Sequence, residues 1–277
     1  LVYSLRRHEF IEETLILMAD TADVVVIGGG IVGTSVACHL AEAGAGRVVL
    51  LEREPILGSC STGKSVGGVR CQFSCELNVR MSQLSKEMFL ELADETGVEL
   101  EFRRHGYLTL ATTKSGKTEE QETLALLRTV GVRAEEMTRS EVGELLPGLN
   151  VDDVEFALYT PDDGWLDPHA VVQGYARKGR AAGVTTRFNC AVQSVKVSGG
   201  RVVGAVTSSG GISTRTVIDA AGPWAAQVAA TAGASLPAVP HKRHIFVTAG
   251  PGRLARETPL VIVKSPAFYF RPEGSGV

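Results

Sequence analysis

At 277 residues the chain exceeds one average domain, and two lobes sharing an interface are the natural expectation. Hydrophobic residues make up 44% and charged residues 21%, which fits a soluble globular protein with a sizeable core. The net charge of -3 supplies no basic field for nucleic acid or an anionic membrane surface, and no apolar run is long enough to span a bilayer.

Residues 1–19 read as a non-native leader. The chain opens on Leu1 rather than Met, and Glu12-Glu13 interrupts an apolar piece too short for a signal-peptide core. Met18 is the expected start, with residues 1–17 as upstream read-through. The five cysteines (Cys38, Cys60, Cys71, Cys75 and Cys190) are odd in number. Cys71 and Cys75 have no second Cys/His pair, so no metal site is expected. They read as reduced, partly buried thiols of a cytoplasmic protein.

Asp23 to Ile27 is a β-branched run, apolar on both faces, as in a central strand of a parallel sheet. Val32, Val36 and Leu40 then recur every fourth residue, which predicts a helix over Ile31 to Gly44. Arg47 to Glu52 is a second strand and completes a βαβ unit. Helices are predicted at Asn78 to Glu95 (Met81, Leu84, Met88 and Leu92 on one side), Glu119 to Val130, Ser140 to Leu146 and Ala170 to Ala182. Tyr107 to Ala111 is a strand. Short strands follow at Thr185 to Phe188, Ala191 to Val197, Arg201 to Ser208 and Gly211 to Ile218, with Gly-containing turns between them. Trp224 leads into a short Ala-rich helix, and Ile245 to Val247 is an apolar strand after the basic run His241-Lys242-Arg243-His244. That run is expected to be solvated rather than catalytic. Phe268 to Arg271 alternates into a turn and finds no partner strand, so the fold is expected to be incomplete at its C-terminus.

Gly28-Gly29-Gly30-Ile31-Val32-Gly33 satisfies G-x-G-x-x-G between a strand and a helix. Gly28 makes the tight turn, Gly30 lets backbone approach a pyrophosphate, and Gly33 permits close helix–strand packing. The helix that begins at Ile31 and Val32 offers amides and a positive dipole end to phosphates. Glu52, at the tip of the second strand, is placed to accept both ribose hydroxyls of an adenosine and would repel a 2′-phosphate.

Three further segments carry a resemblance: Gly58 to Arg70, Pro161 to Pro168, and Val217 to Trp224. Together with the glycine motif, and in this order, they resemble the D-amino-acid oxidase superfamily of FAD enzymes. The nearest likeness is to the sarcosine oxidase, glycine oxidase and dimethylglycine dehydrogenase group. The resemblance implies an α/β protein with an FAD-binding, Rossmann-like lobe of the glutathione-reductase type. An interleaved α+β substrate lobe on an antiparallel sheet would accompany it. The expected division is 20–100 with 160–235 for FAD and 101–159 with 236–277 for substrate.

The resemblance also implies roles for residues. Ser61 and Thr62 would lie along the pyrophosphate and flavin, Arg53 would flank the adenosine, and Val192 would touch adenine through its backbone. Ala221, Gly222 and Trp224 match the turn beneath the cofactor. Arg70 stands where related enzymes pair an arginine with the substrate carboxylate, a task its guanidinium fork suits. Tyr269 lies on a strand resembling one that lines the substrate cavity. Where some members attach flavin through a histidine, this chain has Lys64, and covalent attachment stays open. The implied reaction is oxidation of the C–N bond of a small amino acid or N-methylated amine. The electron acceptor would be O2, an electron-transfer flavoprotein or a quinone. Two rival readings are a non-catalytic flavin-binding or assembly subunit beside a partner subunit, and an NAD-linked dehydrogenase. The long Gly/Ser loop after Glu52 argues against the latter.

Overall fold

A computed structural model describes residues 20–248 and 254–274; the expected leader and start at Met18 lie outside them. The chain divides into two compact units. The first is built from the described residues up to Ser65, from Leu92–Glu99 and from Pro168–Lys242. The second takes Val66–Glu91, Leu100–Asp167 and the described residues from Arg243 onward. Residues 66–91 and 160–167, expected with the first lobe, therefore fall in the second unit.

The first unit is centred on four parallel strands in the order β13-β2-β3-β9, namely Thr216–Asp219, Val24–Ile27, Val48–Leu51 and Thr185–Arg187. Val25, Val26, Val49, Leu50 and Leu51 are at most 1% exposed, which is why their runs show no polar alternation. Each such side chain contributes about 1.5–3 kcal/mol by leaving water. Helix α1 (Ile31–Glu42) joins β2 to β3, and α5 (Pro168–Ala181) packs along it, where the missing side chain of Gly179 admits Cys38. Lys178 bridges Glu42 and Glu95, tying α5 to α1 and to the end of α2 (Glu76–Thr96).

A second sheet follows the order β1-β12-β11-β10: Asp20–Thr21, Gly210–Ser213, Arg201–Thr207 and Val192–Ser198. The single strand predicted over Gly211 to Ile218 is in fact two, β12 and β13, in different sheets. The chain changes sheet at Thr214-Arg215, where the Thr214 hydroxyl donates to the carbonyls of Asp23 and Thr216 and fixes the corner. A short helix, α6 (Ala225–Thr231), follows Trp224 as the Ala-rich run predicts.

The second unit carries a five-stranded sheet, β15-β14-β5-β7-β6: Phe268–Phe270, Leu260–Val263, Tyr107–Ala111, Phe156–Thr160 and Glu135–Met137. Three expectations need correction. The sheet is mixed rather than antiparallel, because β14 runs parallel to β5. The strand at Phe268 has a partner, β14, through the pairs Val261–Phe270, Ile262–Tyr269 and Val263–Phe268. Ile245 to Val247 is exposed and forms no strand. Helix α3 (Lys114–Thr129) starts earlier than predicted, its first turn held by the Thr113 hydroxyl accepting from the Gly116 amide. Helix α4 (Arg139–Leu145) opens with a reciprocal capping box between Thr138 and Glu141. On α2, Val79 enters the core of this unit, whereas Met81 and Leu84 are exposed.

The segment leading into α2 is pinned to the sheet by buried polar groups. β4 (Gly68–Val69) pairs with β8 (Gly164–Trp165). Beyond it, the Gln72 amide donates to the carbonyls of Tyr107 and Leu158 and to the Thr160 hydroxyl, and accepts from Thr109. Asp163, 1% exposed, accepts from the Cys71 amide, the Thr160 hydroxyl and Lys86. Burial, reinforced by the Asp163 charge, pushes the Cys71 thiol up to about 11, and burial pushes Cys38 to about 11. Both thiols hold their protons more tightly when folded. Their stabilisation is complete below the ordinary thiol value of 9.0 and is lost as pH rises through about 11. The thermal midpoint is expected to fall across that window, and Cys71→Ala should flatten the fall. A midpoint that stays level from pH 9.0 to 11 would contradict this.

Candidate functional site

In the first unit, most of the expected cofactor residues converge at the C-terminal ends of β2 and β3. Gly28 has φ +104°, and a Cβ there would overlap the carbonyl of Ala220. A Cβ at Gly33 would fall inside the carbonyl oxygen of Gly28, so the last glycine of the motif makes room for the backbone of the first. Gly30 is the extended N-cap of α1 and makes no side-chain cap. That role passes to Thr62, whose hydroxyl accepts the Ile31 amide at 3.1 Å from 31 residues away. Val32 is 62% exposed on the first turn.

Glu52 is 8% exposed. One carboxylate oxygen accepts from the Gly29 amide at 2.6 Å and the other from the Glu54 amide at 2.8 Å. Two of its roughly four lone-pair sites thus fix the carboxylate, and the remainder stay available for further donors. The Glu52 carbonyl also accepts from the Cys190 amide at 2.9 Å, which places Val192, the first residue of β10, close behind. The Arg53 guanidinium lies 3.5 Å over the Trp224 ring and its Nε donates to Glu54.

The loop after Glu52 folds as successive turns against the glycine motif. The Gly58 amide donates to the Gly29 carbonyl at 2.9 Å, and Gly63 to Gly58 at 2.8 Å. Ser61 is exposed within this loop. His169, on the first turn of α5, packs beneath it so closely that a Cβ at Gly63 would overlap the imidazole. Sequence reasoning missed His169. Its only trace in the sequence is the pair of glycines that make room for it. On the other side, Ala221 donates its amide to Asp219 at 3.0 Å and Gly222 has φ +55°, turning the chain toward Trp224. Burial holds the Asp219 carboxyl above its ordinary value.

Arg70 and Tyr269 belong to the second unit, Tyr269 on β15 of the five-stranded sheet and Arg70 directly after β4. Side chains alternate along a strand, so the pairs Tyr107–Leu260 and Ile262–Tyr269 place all four residues on one face. The opposite face carries Leu108, Leu110, Val261 and Val263 in a separate core cluster. Gly68 lies against the Tyr107 phenol, and Arg70 follows two residues on, its guanidinium 5.0 Å from the Phe73 ring. Arg271 sits over Trp165 at 5.3 Å and donates to the carbonyls of Val66 and Pro272. The basic run 241–244 is exposed. Among the described residues no group of three or more His, Cys, Asp or Glu is placed to hold a metal, and no helix is long and apolar enough to cross a membrane.

The model of the DAO family, described as FAD dependent oxidoreductase, matches residues 23–277. The chain belongs to this family. FAD is the cofactor on which DAO-family members depend. The chain is 32% identical to FAD-dependent oxidoreductase domain-containing protein 1 of Xenopus laevis, over 94% of its own length and 60% of that protein's. It is also 32% identical to mitochondrial sarcosine dehydrogenase of Mus musculus, over 94% of this chain and 29% of that one. Among solved structures, L-proline dehydrogenase from P. horikoshii superposes with a TM-score of 0.79 at 29% identity, covering 93% of this chain and 68% of the other. The DAO-family chain thus spans about 60% of the length of the first of these relatives.

Proposed function

We propose that the first unit holds FAD and that the flavoprotein oxidises the C–N bond of a small amino acid or N-methylated amine. The observation that carries this is the convergence of the Gly28–Gly33 turn, Glu52, the loop at Thr62 and the turn at Ala221 on the end of one parallel sheet. The fit to the cofactor rests on the chain's own groups. Gly30 presents bare backbone, and a Cβ there would come 3.1 Å from the Thr62 hydroxyl and narrow the approach. The first-turn amides of α1 have no acceptor within their own helix and favour a pyrophosphate. Glu52 is the acceptor for ribose hydroxyls, and Arg53 with Trp224 and Val192 would border the adenosine. Ser61, Thr62, Ala221 and Gly222 would border the pyrophosphate and flavin.

Bound flavin would supply the redox chemistry, accepting the hydride equivalent that leaves the substrate carbon. In the second unit, Arg70 holds the substrate carboxylate and Tyr269 lines the cavity, which leaves the amine free. No protein base is required if the amine binds neutral. Sarcosine and proline, named in two of the relatives, are both secondary amines that carry a carboxylate, which supports a substrate of that class and an activity of the EC 1.5 or 1.4 type. The electron acceptor is O2, an electron-transfer flavoprotein or a quinone.

The test is the visible spectrum of the purified full-length protein before and after anaerobic addition of sarcosine, dimethylglycine, glycine or proline. Bleaching by one of them is the expected result. A flavin spectrum that none of them bleaches would favour the non-catalytic subunit, and a protein that cannot be reconstituted with FAD would overturn the proposal.

A further inference from the structure

The apolar repeat of α2 does not serve the core. Leu77, Met81, Leu84 and Met88 recur at the spacing of one helix face. Leu77, Met81 and Leu84 are 65%, 58% and 56% exposed, and Met88 is half-buried. Other residues occupy the inward side of the same stretch. Val79 is fully buried, Gln83 donates to the Val130 carbonyl, and Lys86 pairs with Asp163. These three are likewise spaced four and three apart, so two stripes run along opposite sides of one helix. The inward stripe fixes the rotation of α2 about its axis, and the apolar stripe points at solvent. Single exposed leucines are ordinary, but a continuous row of large apolar side chains marks a docking surface.

The charges beside the row say what docks there. Arg80 and Glu87 lie on the same flank of the stripe, and Glu76 and Glu91 extend that flank at either end. Arg80 pairs with Glu76 at 2.7 Å. Glu87 is exposed and, among the described residues, has no hydrogen bond or ion pair. A twofold axis midway between Met81 and Leu84 would set Met81 of one copy against Leu84 of the other, and Leu77 against Met88. Arg80 would then come within two residues, about 3 Å along the axis, of Glu87 in the other copy. The twofold repeats each contact, so two cross-pairs form. Parallel pairing would instead set like charges against each other on this flank. The three carboxylates of the flank also disfavour an anionic membrane surface. We propose that this face of α2 is a self-association surface, through which two copies of the protein pair antiparallel, with Arg80–Glu87 cross-pairs setting the orientation. The pairing is independent of the redox chemistry.

The test is sedimentation velocity of the purified full-length flavoprotein over a concentration series. A reversible dimer is expected. Leu84→Glu places a charge on the seam and should abolish the dimer. Because Leu84 faces solvent, that variant should keep the far-UV circular dichroism of the wild type. Arg80→Glu and Glu87→Arg should each raise the dimer Kd about ten-fold or more, since each creates like-charge contacts. Combining the two reversals should recover most of the affinity, a rescue that only an Arg80–Glu87 contact between copies provides. A full-length protein that stays monomeric at every concentration would overturn the proposal, as would a dimer indifferent to Leu84→Glu and to the reversals. A monomer that floats with phosphatidylcholine vesicles, and ceases to in Leu84→Glu, would overturn it in favour of a lipid surface.

Discussion

Gly33→Ala is expected to yield protein that purifies without the visible absorbance of a bound flavin. The added methyl would occupy the place of the Gly28 carbonyl oxygen, and neither group is the end of a flexible side chain that can swing away. The α1 N-terminus would have to retreat from β2, moving the first-turn amides and breaking the Ile31-to-Thr62 bond together. Overpacking of this kind typically costs about 1–3 kcal/mol and more where backbone must shift. Gly44→Ala is the control. It also sits at positive φ, +72°, but has nothing within 4 Å of its would-be Cβ, so it should cost only backbone strain of about 1–2 kcal/mol and keep its flavin. Flavin content measured by absorbance after unfolding separates the two. Retention of full flavin by Gly33→Ala would remove the glycine turn from the cofactor site.

The second large effect is at Arg70. Arg70→Met keeps the length of the side chain and removes its charge. Loss of one partner from a hydrogen-bonded charge pair costs about 2–5 kcal/mol, so kcat/KM should fall by about thirty-fold to several-thousand-fold. The thermal midpoint should hardly move, because the guanidinium is in no ion pair among the described residues. Arg70→Lys should recover part of the loss, since a lysine keeps the charge without the planar fork. Steady-state kinetics with whichever amino acid bleaches the flavin decides it. An Arg70→Met enzyme with wild-type kcat/KM would place the carboxylate elsewhere.

The parts of this fold legible in the sequence are those whose cause is local. Val24–Ile27, α1 and Val48–Leu51 announce themselves because a run buried on both faces, a four-residue repeat and another buried run follow each other without interruption. The glycine motif was legible for the same reason, and Glu52 because it ends the second run. What could not be read locally was pairing. Phe156–Thr160 is central to the second sheet, yet nothing in its run FALYT names Tyr107–Ala111 and Glu135–Met137 as its partners. Leu260–Val263 is a short apolar run whose parallel partner lies some 150 residues earlier, at Tyr107–Ala111. Missing β14 made Phe268–Phe270 look unpaired. Conversely, Ile245 to Val247 has the composition of a strand and, among the described residues, no neighbour to pair with, which propensity alone cannot foresee. Tyr107, a tyrosine in an apolar strand, gives no sign of its surroundings in the sequence until Gly68 is seen against its phenol.

The closure of the glycine turn has a consequence for biosynthesis. The backbone behind Gly28 is the carbonyl of Ala220, and the corner that brings it there is tied by Thr214 to Asp23, 191 residues earlier in the chain. A nascent chain that has already extruded its strand–turn–helix motif must therefore wait for most of the second unit to be translated before that motif acquires its floor. Such non-local closure is slow and leaves apolar strand edges uncovered in the interval. If the glycine turn holds flavin as proposed, a chain arrested before Ala220 is expected to bind none, however complete its G-x-G-x-x-G segment.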